Sequence, residues 1–289
     1  MYQDILTIAV VTVFAFFAIY WMWFQGEVDG SRLIAKNSMK QQKFNIILVL
    51  VAAFIVKAIL AVKNEGYSVD ITCFRSWSET VFTGGLSHFY EGDVTDYPPG
   101  YMLVLWLVAA IRHLFNIDNY STTGLFMIKL FPMLFDLAAA YLIYVMAKKR
   151  FSEGMSLMLS ALYALNPAVV IDSSVWGQVD GVLCCMVLLT CYLFMEEKRI
   201  LAYFAFCAGV LLKPQMVMFA PIIIYSIIEQ VFLRDFNTKK MLRDLVGGLA
   251  SLAAMVLVAL PFGLEKSLEK YTGTLGMFEY CSVNAYNFW

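Results

Sequence analysis

Five short stretches bring carboxylates, amides and an amine together with aromatic rings, the residue types that handle sugars and phosphates. The first is Tyr67-Ser-Val-Asp70, followed by Arg75 and Trp77. A carboxylate held at a membrane surface can take the proton of an acceptor hydroxyl while a lipid-linked group waits in the bilayer. The second is Asp96-Tyr97-Pro98-Pro99-Gly100. Its prolines prepare a helix start, and Asp96 can cap that helix or accept from a sugar hydroxyl. The third is Trp176-Gly-Gln178-Val-Asp180, which follows Asn166-Pro167 and Asp172. The indole can stack on a sugar face, and the amide and carboxylate can bind its hydroxyls. The fourth is Lys213-Pro214-Gln215, where Lys213 can meet a phosphate as a point charge. The fifth is Ser282 to Trp289, with the amides Asn284 and Asn287.

Each stretch also has a plainer reading. Asp70 and Asp96 serve equally well as helix caps. Trp176 suits a membrane interface with no ligand present. Lys213 can snorkel to the surface. Spacing alone does not choose between these readings.

The elements that must position these residues are membrane helices. The chain has 289 residues, of which 61% are hydrophobic and 15% charged. Its mean hydropathy is +0.71. A soluble domain carries about 25% charge. The net charge of −1 gives no nucleic-acid signal. The six cysteines show no metal spacing; four lie in apolar runs, and Cys73 with Cys281 make only a weak disulfide signal. A bilayer core takes about 20 apolar residues per helix. Good runs lie at 5–24, 44–62, 124–147, 154–171 and 245–262, with weaker ones at 181–195, 200–212 and 216–233. The run 5–24 has no basic residue before it and no cleavage site, so it reads as a retained helix.

Lysine and arginine in short loops stay cytoplasmic. Basic clusters lie in 25–43, at Lys148–Arg150, at Lys198–Arg199 and in 234–243. All four share one side only if the further apolar run 98–115 does not cross. The expected fold is therefore an all-α, polytopic bundle of about eight spanning helices. An outer-leaflet helix at 98–115 accompanies them, and the N-terminus lies outside. The alternative is that 98–115 spans and one short run does not. Nine carboxylates, from Glu65 to Asp180, then fall on the outer side. Lys57, Lys129 and Asp136 lie inside apolar runs. Lys129 and Asp136 share one helix face, and a link between them through a third residue is as plausible as a functional role.

In this order, the five stretches resemble the GT-C superfamily of membrane glycosyltransferases. The nearest likeness is to Gpi18-like bacterial mannosyltransferases and the dolichol-pathway alpha-glucosyltransferases. The matching residues are Asp70 with Arg75 and Trp77, Asp96 to Pro99, Trp176 to Asp180, Lys213 to Gln215, and Asn284 to Trp289. The resemblance runs from about residue 44 to the end. It implies an extra N-terminal helix and cytoplasmic loop at 1–43, and a transmembrane catalytic module at 44–289.

The resemblance also implies an activity. A hexose, mannose in first place, would move from a polyprenyl-phosphate carrier to an extracytoplasmic acceptor, with inversion. Asp70 takes the place of the catalytic base. Arg75, Asp96, Tyr97, Trp176, Gln178, Asp180, Lys213, Gln215, Asn284 and Asn287 take substrate-binding places. No metal or cofactor is implied. The implied partners are the bilayer, the lipid-linked donor and a glycan, lipid or protein acceptor. Chains of this superfamily run longer past the last motif, so helices from a further segment or a second chain are expected to complete the module. Two rival readings stand beside this one: a flippase of lipid-linked sugars, and an inactive fragment of the same fold.

Overall fold

A computed structural model of the chain describes residues 39–91, 95, 97–230 and 237–274. Among them every regular element is helical. In chain order these are α1 (Met39–Lys63), α2 (Ser68–Thr83), α3 (Pro99–Leu114), α4 (Thr122–Ala147), α5 (Glu153–Ala164) and α6 (Pro167–Trp176). There follow α7 (Asp180–Met195), α8 (Arg199–Leu212), α9 (Ala220–Ile228), α10 (Thr238–Ala259) and α11 (Leu264–Thr274). The run 5–24, Asp96, Cys281, Asn284 and Asn287 lie outside the described residues.

Among the described residues, three helical segments are long and apolar enough to cross a bilayer: Gln41–Lys63, Thr122–Ala147 and Thr238–Phe262. A fourth span is possible by joining α5 to α6, which bend by 47° at their junction. The sequence reads 154–171 as one continuous run, but Asn166-Pro167 interrupts it. Asn166 Oδ1 accepts from Ala168 N at 2.9 Å and starts a new helix with Pro167 in its first turn. Helices α3, α7, α8 and the segment Pro214–Ile228 are apolar but shorter.

The chain divides into two compact units. The first comprises the described residues up to Arg75 and from Arg112 to Lys198. Its centre is where small residues let helices approach closely: Ala53 of α1, Ala140 of α4 and Ala164 of α5 form one buried cluster. Ser160 Oγ donates to the Ala140 carbonyl at 2.8 Å in the same contact. On the outside of α1, the apolar residues Ile47, Val51, Ile55 and Ile59 are all about half exposed, a stripe that only a lipid environment would shelter.

This unit holds polar pairs both in its interior and at one end. Lys57 of α1 meets Asp136 of α4 at 2.8 Å, and also donates to Ser173 Oγ at 3.1 Å and the Val169 carbonyl at 3.2 Å. The sequence reading looked for a link between Lys129 and Asp136; the carboxylate instead pairs with a lysine from another helix. At one end of the unit Lys148 bonds Gln42 and pairs with Glu153, and Lys149 pairs with Glu196. Three of the four segments that the charge rule assigns to one side thus meet at one end of this unit.

The second unit comprises the described residues of 76–111 and of 199 onward. Arg199 of α8 pairs with Asp244 of α10 and donates to the Ser226 carbonyl at 3.1 Å. Gly247 of α10 lies against Ile200, leaving 2.8 Å between that side chain and the place of an added Cβ. Gly100 of α3 packs on the Leu211 carbonyl in the same manner. Phe262 packs on Phe89 and Tyr90. Outside the spans, His88 and Lys266 hold the Glu91 carboxyl below the usual carboxylate range. Between α8, α9 and α10 lies an apolar crevice of about 640 Å³.

Candidate active site

Asp70 lies in the first turn of α2, where a carboxylate is favoured by the helix dipole. Its side chain does not cap the helix. Oδ2 accepts from Trp176 Nε1 at 2.7 Å and from Gln178 Nε2 at 3.1 Å, across more than 100 residues of sequence. Both donors converge on one oxygen. Oδ1 takes neither of these two bonds.

The partner turn is built to aim these donors. Helix α6 widens from Ile171 to Trp176, and the Asp172 carbonyl accepts from both Gly177 N and Gln178 N at 2.9 Å. Such widened turns are uncommon and gather at functional sites. Gly177 then ends the helix in the left-handed region, at φ +90°. Gln178 Oε1 accepts from Val179 N at 2.9 Å, which leaves its Nε2 pointing at Asp70. The facing loop fits closely. Tyr67 N donates to the Trp176 carbonyl at 2.9 Å, and the two rings lie 4.8 Å apart. At Gly66, φ +88°, a Cβ would come within 2.7 Å of that carbonyl.

Beneath this turn lies Lys129 of α4, fully buried. Its ammonium donates to the carbonyls of Asn64 at 2.7 Å, Ser174 at 3.0 Å, Val175 at 3.2 Å and Ala61 at 3.4 Å. The first and last belong to the end of α1, the other two to the end of α6. Helix ends carry partial negative charge, so one cation stabilises two of them.

Tyr67, Gly66, Gly177 and Lys129 were not among the site residues expected from the sequence. Gly66, just before the Tyr67–Asp70 stretch, and Gly177, inside the Trp176 motif, were the available signal. Gly177→Ala should test the turn. The substitution forces a non-glycine residue to φ +90° and sets its Cβ 2.7 Å from Ile71 Cδ1. A loss of about 1–3 kcal/mol is expected, read as a lower thermal midpoint in detergent micelles. An unchanged midpoint would show that the turn has another way to close.

The other expected residues fall as follows. The Arg75 guanidinium lies 5.2 Å from the Tyr120 ring centre, and its carbonyl accepts from Asn119 Nδ2 at 3.2 Å. Asp180 opens α7 and is exposed. In the second unit, the Tyr97 carbonyl accepts from Tyr90 Oη at 2.9 Å, and the Tyr97 ring lies 5.4 Å from Trp77. Burial pushes the Tyr90 phenol up, so it stays a donor. Lys213 is buried at 6% exposure in an extended break after α8, and Gln215 is exposed in the turn that follows.

The described residues thus form helices only, and they bring a carboxylate, an indole and an amide together. Residues 96–262 match the family model described as dolichyl-phosphate-mannose-protein mannosyltransferase. The chain belongs to that family, and so to the GT-C superfamily. Over 128 residues it is 27% identical to GPI mannosyltransferase 1 of Saccharomyces cerevisiae (strain ATCC 204508 / S288c). That stretch covers 42% of this chain and 29% of the relative's length. Trp176, Gln178, Asp180 and Lys213 fall inside the family match, and Asp70 precedes it.

Proposed function

We propose that this protein transfers a hexose, mannose in first place, from a polyprenyl-phosphate carrier to an acceptor hydroxyl on the extracytoplasmic side of a cell membrane. The doubly held Asp70 carboxylate carries the reading. The acceptor oxygen attacks the anomeric carbon from the face opposite the phosphate. A new carbon–oxygen bond forms as the bond to phosphate breaks, so the configuration inverts. The acceptor proton passes to Asp70 Oδ1, and the lipid phosphate leaves with the bonding electron pair. Trp176 and Gln178 hold the carboxylate on its other oxygen, and the exposed indole face is available to a sugar ring. Stabilisation of the leaving phosphate is the largest expected contribution. Lys213 and Arg75 are the cations assigned to it. Asp96, Tyr97, Asp180, Gln215, Asn284 and Asn287 are assigned to substrate binding. The apolar crevice of the second unit has the volume of a small-molecule site and suits a prenyl chain. The family description and the relative's name favour mannose.

A second reading is a flippase for the same lipids. It is favoured by the helix break at Lys213-Pro214, since transporters place substrate at broken helices.

The deciding experiment offers membranes expressing the chain synthetic polyprenyl-phosphate-mannose or polyprenyl-phosphate-glucose, each radiolabelled in the sugar. Labelled product from the mannose donor is expected. Label moved across proteoliposomes without any product would favour the flippase, and no product from either donor would overturn the transferase reading.

A further inference from the structure

We infer that Lys129 is the positioning residue for Asp70, an inference that rests on the transferase reading. The argument begins with what Lys129 cannot do. A lysine ammonium has three N–H donors. Four backbone carbonyls lie within 3.4 Å of this one. Its donors are fully used, and the side chain is shut off from solvent. It does not reach a phosphate or a sugar.

What it does is join two chain segments that carry the site. Asn64 is six residues before Asp70, and the intervening Tyr67 carbonyl accepts from Ile71 N at 3.0 Å to begin α2. Val175 immediately precedes Trp176, which donates to Asp70 at 2.7 Å. The ammonium therefore fixes the distance between the root of the carboxylate and the root of its donor. Take the charge away and four carbonyls at two helix ends face one another in an apolar interior. Unpaired carbonyls there are costly and repel. The cheapest relief is to part the ends of α1 and α6, which draws Trp176 and Gln178 away from Asp70 Oδ2. Gly177 belongs to the same device. With no side chain it leaves room for the lysine stem, whose Cε is 3.3 Å from the place of an added Cβ.

The coupling is readable without an assay. In protein labelled with ¹⁵N-tryptophan, the Trp176 indole N–H resonance is identified by its absence in Trp176→Phe. Asp70→Ala gives the position of that resonance with its acceptor removed. In Lys129→Met the resonance should move most of the way to that position. In Lys129→Gln, which keeps an N–H donor but fewer bonds, it should move part of the way. The variant Tyr144→Phe removes a buried side chain's hydrogen bond to Glu153, fifteen residues along α4 from Lys129, and should leave it in place. In the transfer assay, Lys129→Met should lose about 100-fold in kcat, as misplacement of about 1 Å does, with KM changed by less than about threefold.

A Trp176 resonance that stays put in both Lys129 variants overturns the inference, whatever the assay gives. So does a resonance that moves equally in Tyr144→Phe, since the effect would then be general loosening. A resonance that follows Lys129 in a protein with no transfer from any donor sustains the positioning role and overturns the transferase reading.

Discussion

Asp70→Asn should leave the bundle folded and cut sugar transfer by about 100- to 10,000-fold, the range for loss of a general base. The convergence of two donors on one oxygen makes this a clean test. Trp176 Nε1 and Gln178 Nε2 both donate to Oδ2. The asparagine carbonyl can sit in that place and accept both bonds. Its amide then occupies the position of Oδ1, where it can donate but cannot take a proton. Structure and substrate contacts are kept while the basic oxygen is removed. The thermal midpoint of the variant should match that of the parent, and KM should change little. Transfer within tenfold of the parent would remove Asp70 from the role of base. A large fall in the midpoint would mean instead that the charge itself holds the turn closed.

The second large effect is on folding. Lys57→Met and Asp136→Asn should each destabilise the protein by about 3–5 kcal/mol, because each leaves the other buried charge uncompensated. The pair is buried; the lysine's two other hydrogen-bond partners, Ser173 Oγ and the Val169 carbonyl, are neutral, and the Asp172 carboxylate acts on its charge without a hydrogen bond to replace the one lost. Asparagine is the right replacement at 136. Gly181 stands so close that an added Cβ would lie 2.0 Å from Asp136 Oδ1, so the side chain must keep its shape. The double variant carries neither charge and should recover most of the loss. The measurement is the folded fraction after detergent extraction, by size-exclusion chromatography. Singles at full yield, or a double worse than both, would show that neutralising the charges is not what matters.

The helices were legible in the sequence because a bilayer demands long apolar runs, and few soluble patterns imitate them. The bend at Asn166-Pro167 was not, although both residues were noted. Hydropathy is blind to direction, and 154–171 is apolar on either side of the 47° change. The site was legible in its residue types. A carboxylate, an indole and an amide were all marked as candidates. Their meeting was not legible, since 106 residues separate Asp70 from Trp176. Lys129 was harder still. A buried lysine invites a search for a carboxylate, and Asp136 lies seven residues on along the same helix. Its true acceptors are main-chain carbonyls at two helix ends. Every residue has a carbonyl, so no side-chain pattern announces them. The resemblance to a superfamily rested on the order of the motifs, and the family match bears out that superfamily.

The pair between Lys57 and Asp136 also bears on how the chain is made. The two residues are 79 positions apart, so the lysine enters the membrane well before its partner exists. A lone charge at a helix centre costs about 2.5–3.5 kcal/mol on insertion. The apolar residues of α1 can offset that once, and those of α4 must offset the aspartate in turn. Both costs fall if α1 is kept beside the insertion channel until α4 emerges and the charges meet there. The bundle thus has a preferred order of assembly written into it, with α1 waiting for α4 before either is released to the lipid.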